Sequence, residues 1–233
     1  MKKTSLLAVL ILGMYQYSAA QEKISFNVKV GLSMSNYLLK AENRSGVQGS
    51  NLTSFFAGVS ASLPLGETVS FEPGLTVIGK GTREKESGSL TQGGVTTTRI
   101  SDSKLAPLYL EVPLNLLRIL KVGSGQLFFG AGPYIGFGIG GKYKIDYSEK
   151  TTSGSNVSEM GVKEEGKIIF GGTEAQDMKG IDFGVNGLAG YRLANGFGVQ
   201  VGYGLGLYNV AIDRGDQIKS YNRSITVGLS YRF

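Results

Sequence analysis

The sequence predicts an all-β chain: an eight-stranded antiparallel up-and-down transmembrane β-barrel with long outer loops. Three observations carry this. Apolar residues recur at every second position in eight separate stretches. The opposite face of each stretch is small, polar and rich in glycine. The connections between stretches alternate long and short.

The first stretch sets Ile24, Phe26, Val28, Val30 and Leu32 against Ser25, Asn27, Lys29, Gly31 and Ser33. Successive side chains of a strand point to opposite faces, so one face is greasy and the other is not. The second runs on alternate positions from Phe55 to Leu63, the third from Val69 to Val77 and the fourth from Ala106 to Leu114. The fifth spans Leu127 to Ile139, the sixth Ile181 to Tyr191, the seventh Phe197 to Leu207 and the eighth Ile225 to Phe233. These stripes hold 44 positions and no charge, although 18% of the chain is charged and about eight charges would be expected there. A soluble sandwich or lipocalin-like barrel turns charge outward and grease inward. Here the second face carries Gly130, Gly132, Gly136, Gly138 and Gly140, and then Gly198, Gly202, Gly204 and Gly206. Small residues suit a narrow lumen and a continuous apolar stripe suits lipid.

The long connections cover about 34–52, 79–104, 141–180 and 209–221, and the short ones 64–68, 115–126 and 194–196. Outer-membrane barrels pair short periplasmic turns with long outer loops. An even strand number leaves both termini on the periplasmic side. Phe71, Tyr191, Phe197, Tyr231 and Phe233 then mark the lower interface, and Phe55, Phe137 and Phe183 the upper. Pro73, Pro107, Pro113 and Pro133 fall inside strands, where proline removes a ladder hydrogen bond, so bulges or strand ends are expected there.

Lys2 and Lys3, the apolar run from Leu6 to Met14 and the small residues Ser18, Ala19 and Ala20 form a secretory signal pattern with cleavage between Ala20 and Gln21. Nine apolar residues are too few to span a bilayer as a helix. The domains are therefore a signal peptide over 1–20 and an outer-membrane barrel over 21–233. Loss of the signal takes the formal charge from +6 to +4, a modest and scattered excess that gives no nucleic-acid partner. The chain has no Cys and no His, which excludes disulfides, cysteine nucleophiles, Ser-His sites and the commonest metal ligand. No catalytic, cofactor or metal site is expected.

Several stretches resemble the PorT-like outer-membrane β-barrel family of Bacteroidota: 109–117 (YLEVPLNLL), 129–140 (FGAGPYIGFGIG), 182–190 (DFGVNGLAG), 199–210 (VQVGYGLGLYNV) and 225–233 (ITVGLSYRF). The resemblance covers the strands from about residue 105 onward. It implies an integral outer-membrane barrel of the porin family, one member of which is linked to type IX secretion. Val227, Leu229, Tyr231 and Phe233 look like the C-terminal signal read by the barrel-assembly machinery.

Other motifs read as structure. The 136–141 stretch (GFGIGG) matches a nucleotide-binding spacing, but a strand pattern follows where a helix is needed. Arg214-Gly215-Asp216 and the sequons at Asn43, Asn51, Asn156 and Asn222 lie on or near loops. Glu72 and Glu111 fall on the polar face of adjacent strands at similar height. Paired carboxylates can serve as acid and base. An interior ion-pair plug with Lys29, Arg192 or Arg232 is the reading adopted, because buried charges need partners. The 141–180 loop is near neutral. Its Tyr143, Ile145, Tyr147 and 167–170 could extend strands five and six above the membrane, with edges able to accept a partner strand. The expected function is a non-enzymatic outer-membrane protein acting through extracellular loops or as a membrane or secretion-system component. The alternatives are a narrow channel for small solutes and a lipid-modifying enzyme. Expected partners are outer-membrane lipid, the assembly machinery and a surface or secretion protein.

Overall fold

The computed structural model describes residues 24–41, 44–48, 50–171, 177–212 and 219–233. The signal segment with Ala20 and Gln21, the Arg214-Gly215-Asp216 tripeptide and Asn43 lie outside these residues. The described chain is all-β, with eleven strands: β1 (Ser25–Ala41), β2 (Arg44–Gln48), β3 (Ser50–Pro64), β4 (Val69–Gly79), β5 (Thr82–Gln92), β6 (Val95–Val122), β7 (Gly125–Ser153), β8 (Asn156–Lys167), β9 (Ile181–Arg192), β10 (Phe197–Gly206) and β11 (Lys219–Arg232).

Eight of them form a ring. β1 pairs β3, and pairing continues antiparallel through β4, β6, β7, β9, β10 and β11. β11 then pairs β1 from Asn27↔Arg232 to Lys40↔Lys219, which closes the wall. All eight apolar stripes lie on the outside of this ring. Val30, Val59, Leu114, Ile135, Val201 and Leu229 are between 40% and 60% exposed, while their strand neighbours face in. A closed wall leaves no sheet edge in the membrane, where an unpaired backbone group has no water to bond.

Eight strands leave just enough room inside for side chains. Gly31 and Gly228 face each other across β1 and β11. A Cβ on either would lie 2.7 Å or 2.6 Å from the Phe56 ring, so their hydrogens let that ring lie flat in the lumen. The prolines stand where the ladder is interrupted. Pairing of β4 with β6 passes from Pro73↔Leu114 to Thr76↔Glu111, and β6 with β7 from Pro113↔Tyr134 to Leu116↔Ala131. The register of β6 against β7 shifts between Leu108 and Tyr109, next to Pro107.

Above the wall the structure differs from the expected loops. Residues 82–104 are not a loop but β5 and the first part of β6, joined by a tight turn at Gly93 and Gly94 with φ of 60° and 78°. Two positive φ values in succession suit glycine and make the hairpin. Residues 142–153 and 156–167 form a second hairpin. β5, β6, β7 and β8 thus make a four-stranded sheet that rises beyond the barrel. Its faces are mostly polar with scattered exposed apolar residues such as Leu90, Ile100, Val157 and Met160, so the regular apolar alternation stops although the strands continue. Residues 123–124, not 115–126, make the short turn between β6 and β7.

Candidate functional site

The lumen holds a buried charge centre. Lys80 follows the last residue of β4, and its amide donates to the Pro107 carbonyl at 3.0 Å. Its ammonium lies 2.5 Å from Glu111 Oε1 and 2.9 Å from Asp182 Oδ2, with all three side chains 10% exposed or less. Lys80 Nζ also donates to the Tyr134 hydroxyl at 3.2 Å and sits 4.4 Å from the centre of that ring. Asp182 Oδ2 accepts from Tyr134 OH at 3.2 Å and from Asn222 Nδ2 at 2.9 Å. β6, β7 and β9 therefore converge on one ammonium, and β11 holds its Asp182 partner through Asn222. Charges withdrawn from water persist only with partners and hydrogen bonds of this kind.

A hydrophobic plug covers the centre at the loop rim. Phe170 meets Tyr109 edge to face at 5.7 Å and packs against Phe56 and Ile78. Tyr37, Ile168, Met178 and Val210 form a second buried cluster against Leu105 and Tyr143. Backbone bonds pin the plug: Gly138 N to Gly180 O at 2.9 Å, Ile168 N to Gly141 O at 3.1 Å and Lys179 N to Val210 O at 3.0 Å. Ile168 and Phe170, expected to extend a strand outward, turn into the barrel mouth instead. Below the centre a cavity of about 70 Å³ is lined by Lys29, Thr76, Glu111, Asn115, Asn186 and Gln200, among others. It has room for a few waters.

A separate polar cluster closes the turn rim. Glu72 accepts from Ser60 Oγ at 2.9 Å and Asn27 Nδ2 at 3.3 Å. Arg232 donates to Asn27 Oδ1 and to Ser62 Oγ, each at 3.1 Å. The Arg192 guanidinium lies 4.9 Å from the Phe128 ring centre. Phe197, Tyr231 and Phe233 meet in series at 4.8 and 4.9 Å around the same rim, the first pair tilted and the second edge to face. Val227, Leu229 and Phe233 face outward on the terminal strand.

The two glutamates do not form one site. Glu72 stands opposite Asn115, and Glu111 opposite Thr76. Four positions along a strand separate them by about 13 Å. The expectation of similar height is thus corrected. It rested on counting from stripe ends, and β6 runs deeper than its stripe. The ammonium at Glu111 is that of Lys80, which sequence reasoning had left in a loop. Lys29 lines the cavity with Glu111, whereas Arg232 and Arg192 stand at the turn rim. Gly79 and Gly81 flank Lys80 and broke the alternation that would have pointed to it.

The outer membrane protein beta-barrel domain family matches residues 15–211. No curated protein matches the chain. Among solved structures, the chain is similar to Ail, the attachment invasion locus protein of Yersinia pestis. Identity is 12%, coverage 90% of this chain and 98% of that one, and the TM-score 0.38. Neisserial surface protein A shows 12% identity over 91% and 100%, with a TM-score of 0.35. The outer membrane protease OmpT from Escherichia coli shows 10% over 93% and 99%, with a TM-score of 0.31. The family match spans most of the residues, and the closed ring with its apolar outer wall agrees with it: this chain belongs to the outer membrane protein beta-barrel domain family and is an integral outer-membrane protein.

Proposed function

We propose that this protein is a non-enzymatic surface component that binds a partner protein through its protruding sheet. The observation that carries this reading is the contrast between a closed lumen and an open sheet edge. The plug, the Lys80 centre and the small cavity argue against a solute channel. Beyond the wall, β8 pairs only with β7 among the described residues. Its Val157, Met160 and Val162 are 58%, 59% and 52% exposed. An unpaired edge with exposed apolar side chains suits strand addition by a partner.

In this reading residues 1–20 export the chain, cleavage falls between Ala20 and Gln21, and the turn rim with both termini faces the periplasm. The stripe Val227, Leu229, Tyr231 and Phe233 serves the assembly machinery, and membrane lipid surrounds the wall. The order of the motifs from 109 to 233 supports the PorT-like family of Bacteroidota and a role as a secretion-system component. The separation of Glu72 from Glu111 speaks against a carboxylate-pair enzyme. The test is site-specific photocrosslinking from positions 157, 160 and 162 in intact outer membranes, with position 122 at the turn rim as control. One discrete protein adduct confined to the β8 positions is expected. No adduct, together with steady single-channel conductance in planar bilayers, would replace this reading with the narrow channel.

A further inference from the structure

A lysine cluster sits on the outer wall where the barrel meets the protruding sheet. Lys104 of β6 stands directly opposite Lys144 of β7, and Lys142 of β7 opposite Lys167 of β8. Lys144 in turn faces Glu165. All four lysines are exposed. Like charges placed directly opposite in a sheet destabilise it. Asp102 and Asp146 nearby are already engaged, and Glu165 makes no ion pair among the described residues. Asp102 binds Arg83 at 2.6 Å and Lys85 at 3.7 Å, and Asp146 binds Lys163 at 3.6 Å. None of the four lysines makes an ion pair among the described residues.

The register shift between Leu108 and Tyr109 creates the cluster. Below it the odd positions of β7 face outward, as Phe137 and Ile139 do. Above it Tyr143 packs inward on the plug, and Lys142 and Lys144 are exposed. The same step, with only Gly79, Ala106, Gly140 and Gly141 to fill it, leaves a recess of about 860 Å³. The four lysines line it with a single carboxylate, Glu165, together with Phe55 and Leu108, which belong to the apolar stripes. The recess is thus cationic above and greasy below, at the level where lipid headgroups meet acyl chains.

We propose that this recess binds a phosphorylated lipid of the surrounding leaflet. Its phosphate oxygens would lie among Lys104, Lys142, Lys144 and Lys167, and its first acyl carbons against Phe55 and Leu108. Long lysine stems can lie along apolar surface while the ammonium reaches a headgroup. An acidic protein fits less well, since the cluster lies within two residues of the lipid-facing stripe and headgroups crowd that level. Only the leaflet that supplies the lipid depends on the orientation proposed above.

The test uses the folded full barrel in an uncharged maltoside detergent and native mass spectrometry. The probes are a diphosphorylated glucosamine-disaccharide lipid and the same lipid without phosphate. A one-to-one adduct with the phosphorylated lipid is expected, with inorganic phosphate failing to displace it. Lys142→Ser with Lys144→Ser should weaken it about thirtyfold, the combined effect of two cations near a headgroup layer. Lys142→Arg with Lys144→Arg should retain it, and Lys163→Ser should leave it unchanged. Heat-modifiable gel mobility verifies that each variant is folded. Equal binding of the phosphate-free lipid, displacement by inorganic phosphate, or an unweakened serine variant would overturn the proposal. Crosslinking from β8 reads different residues, so either proposal can fail alone.

Discussion

Three residues apart in the chain, Lys80 and Arg83 each hold an aspartate, yet the two pairs live in different media. Lys80 meets Asp182 at 2.9 Å with side-chain exposures of 2% and 0%. Arg83 meets Asp102 at 2.6 Å with exposures of 44% and 32%. The shorter contact is the weaker determinant of stability. In the lumen, loss of one partner strands a buried charge with little water to replace what is lost. On the sheet, water replaces whatever is lost. Distance ranks these pairs wrongly, and burial ranks them correctly.

The largest effect expected from breaking that comparison is at Lys80. Lys80→Met leaves the Glu111 and Asp182 carboxylates buried without their cation and should destabilise the barrel by about 3–5 kcal/mol. Urea unfolding in lipid vesicles, followed by gel mobility, measures this. Adding Glu111→Gln and Asp182→Asn should recover most of the loss, since a neutral hydrogen-bonded centre strands no charge. A single variant as stable as the parent would mean that the centre is wet.

A charge placed on the other side of the wall comes next. Val201→Arg puts a guanidinium mid-strand on the lipid face of β10 and should cost about 2–4 kcal/mol. Ser158→Lys on the exposed face of the second hairpin should leave folding unchanged. Equal folded fractions for the parent and Val201→Arg would contradict the outward assignment of that stripe. Smaller still is the effect of Phe233→Ala on equilibrium stability. Its larger effect should be a slower assembly rate in vesicles that contain the assembly machinery. An equal defect with and without the machinery would leave Phe233 an anchor and remove the signal.

The smallest effect is on the sheet. Arg83 hydrogen-bonds the Asp102 carboxylate and holds its pKa down to about 2. A depressed carboxyl pKa adds stability above the unfolded value, and that contribution disappears as the pH falls through about 2. The Asp102 carboxyl carbon should therefore titrate near 2 by NMR. Arg83→Ala should move the midpoint toward the usual carboxylate range and lower the unfolding midpoint at pH 7 by much less than Lys80→Met does, because water and salt screen the exposed pair. A midpoint that stays near 2 in Arg83→Ala would assign the shift to Lys85 or Lys144.

The membrane wall was legible in the sequence because lipid enforces one rule on every strand. Each stripe from Ile24 to Phe233 is apolar and faces outward. The protruding sheet obeys no such rule. Water bathes both faces of β5 and of the first half of β6, so 82–92 (TREKESGSLTQ) carries no period-two pattern. The signals that remained were the Gly93-Gly94 turn and the β-branched run 95–98 (VTTT), which together mark a hairpin. Lys80 was hidden for a related reason. A lone charge between two glycines reads as a turn, and only the pairing of β4 against β6 brings it to Glu111. The depth of Glu72 relative to Glu111 needed the cross-strand register, which alternation along single strands does not contain.

The closure of β1 on β11 sets the order of events in folding. Asn27 and Arg232 bond across the seam although 205 positions separate them. Loop-closure entropy rises with that separation, and folding slows as contacts become less local. The hairpins β3–β4, β6–β7 and β9–β10 can form early from neighbouring segments. The seam cannot form until the final residues have arrived. For all that time the chain presents two long unpaired edges and every apolar stripe to its surroundings, a combination that invites edge-to-edge aggregation. β11, Lys219–Arg232, is therefore a latch. A chain shortened by one strand loses one-eighth of its wall and the closed state with it.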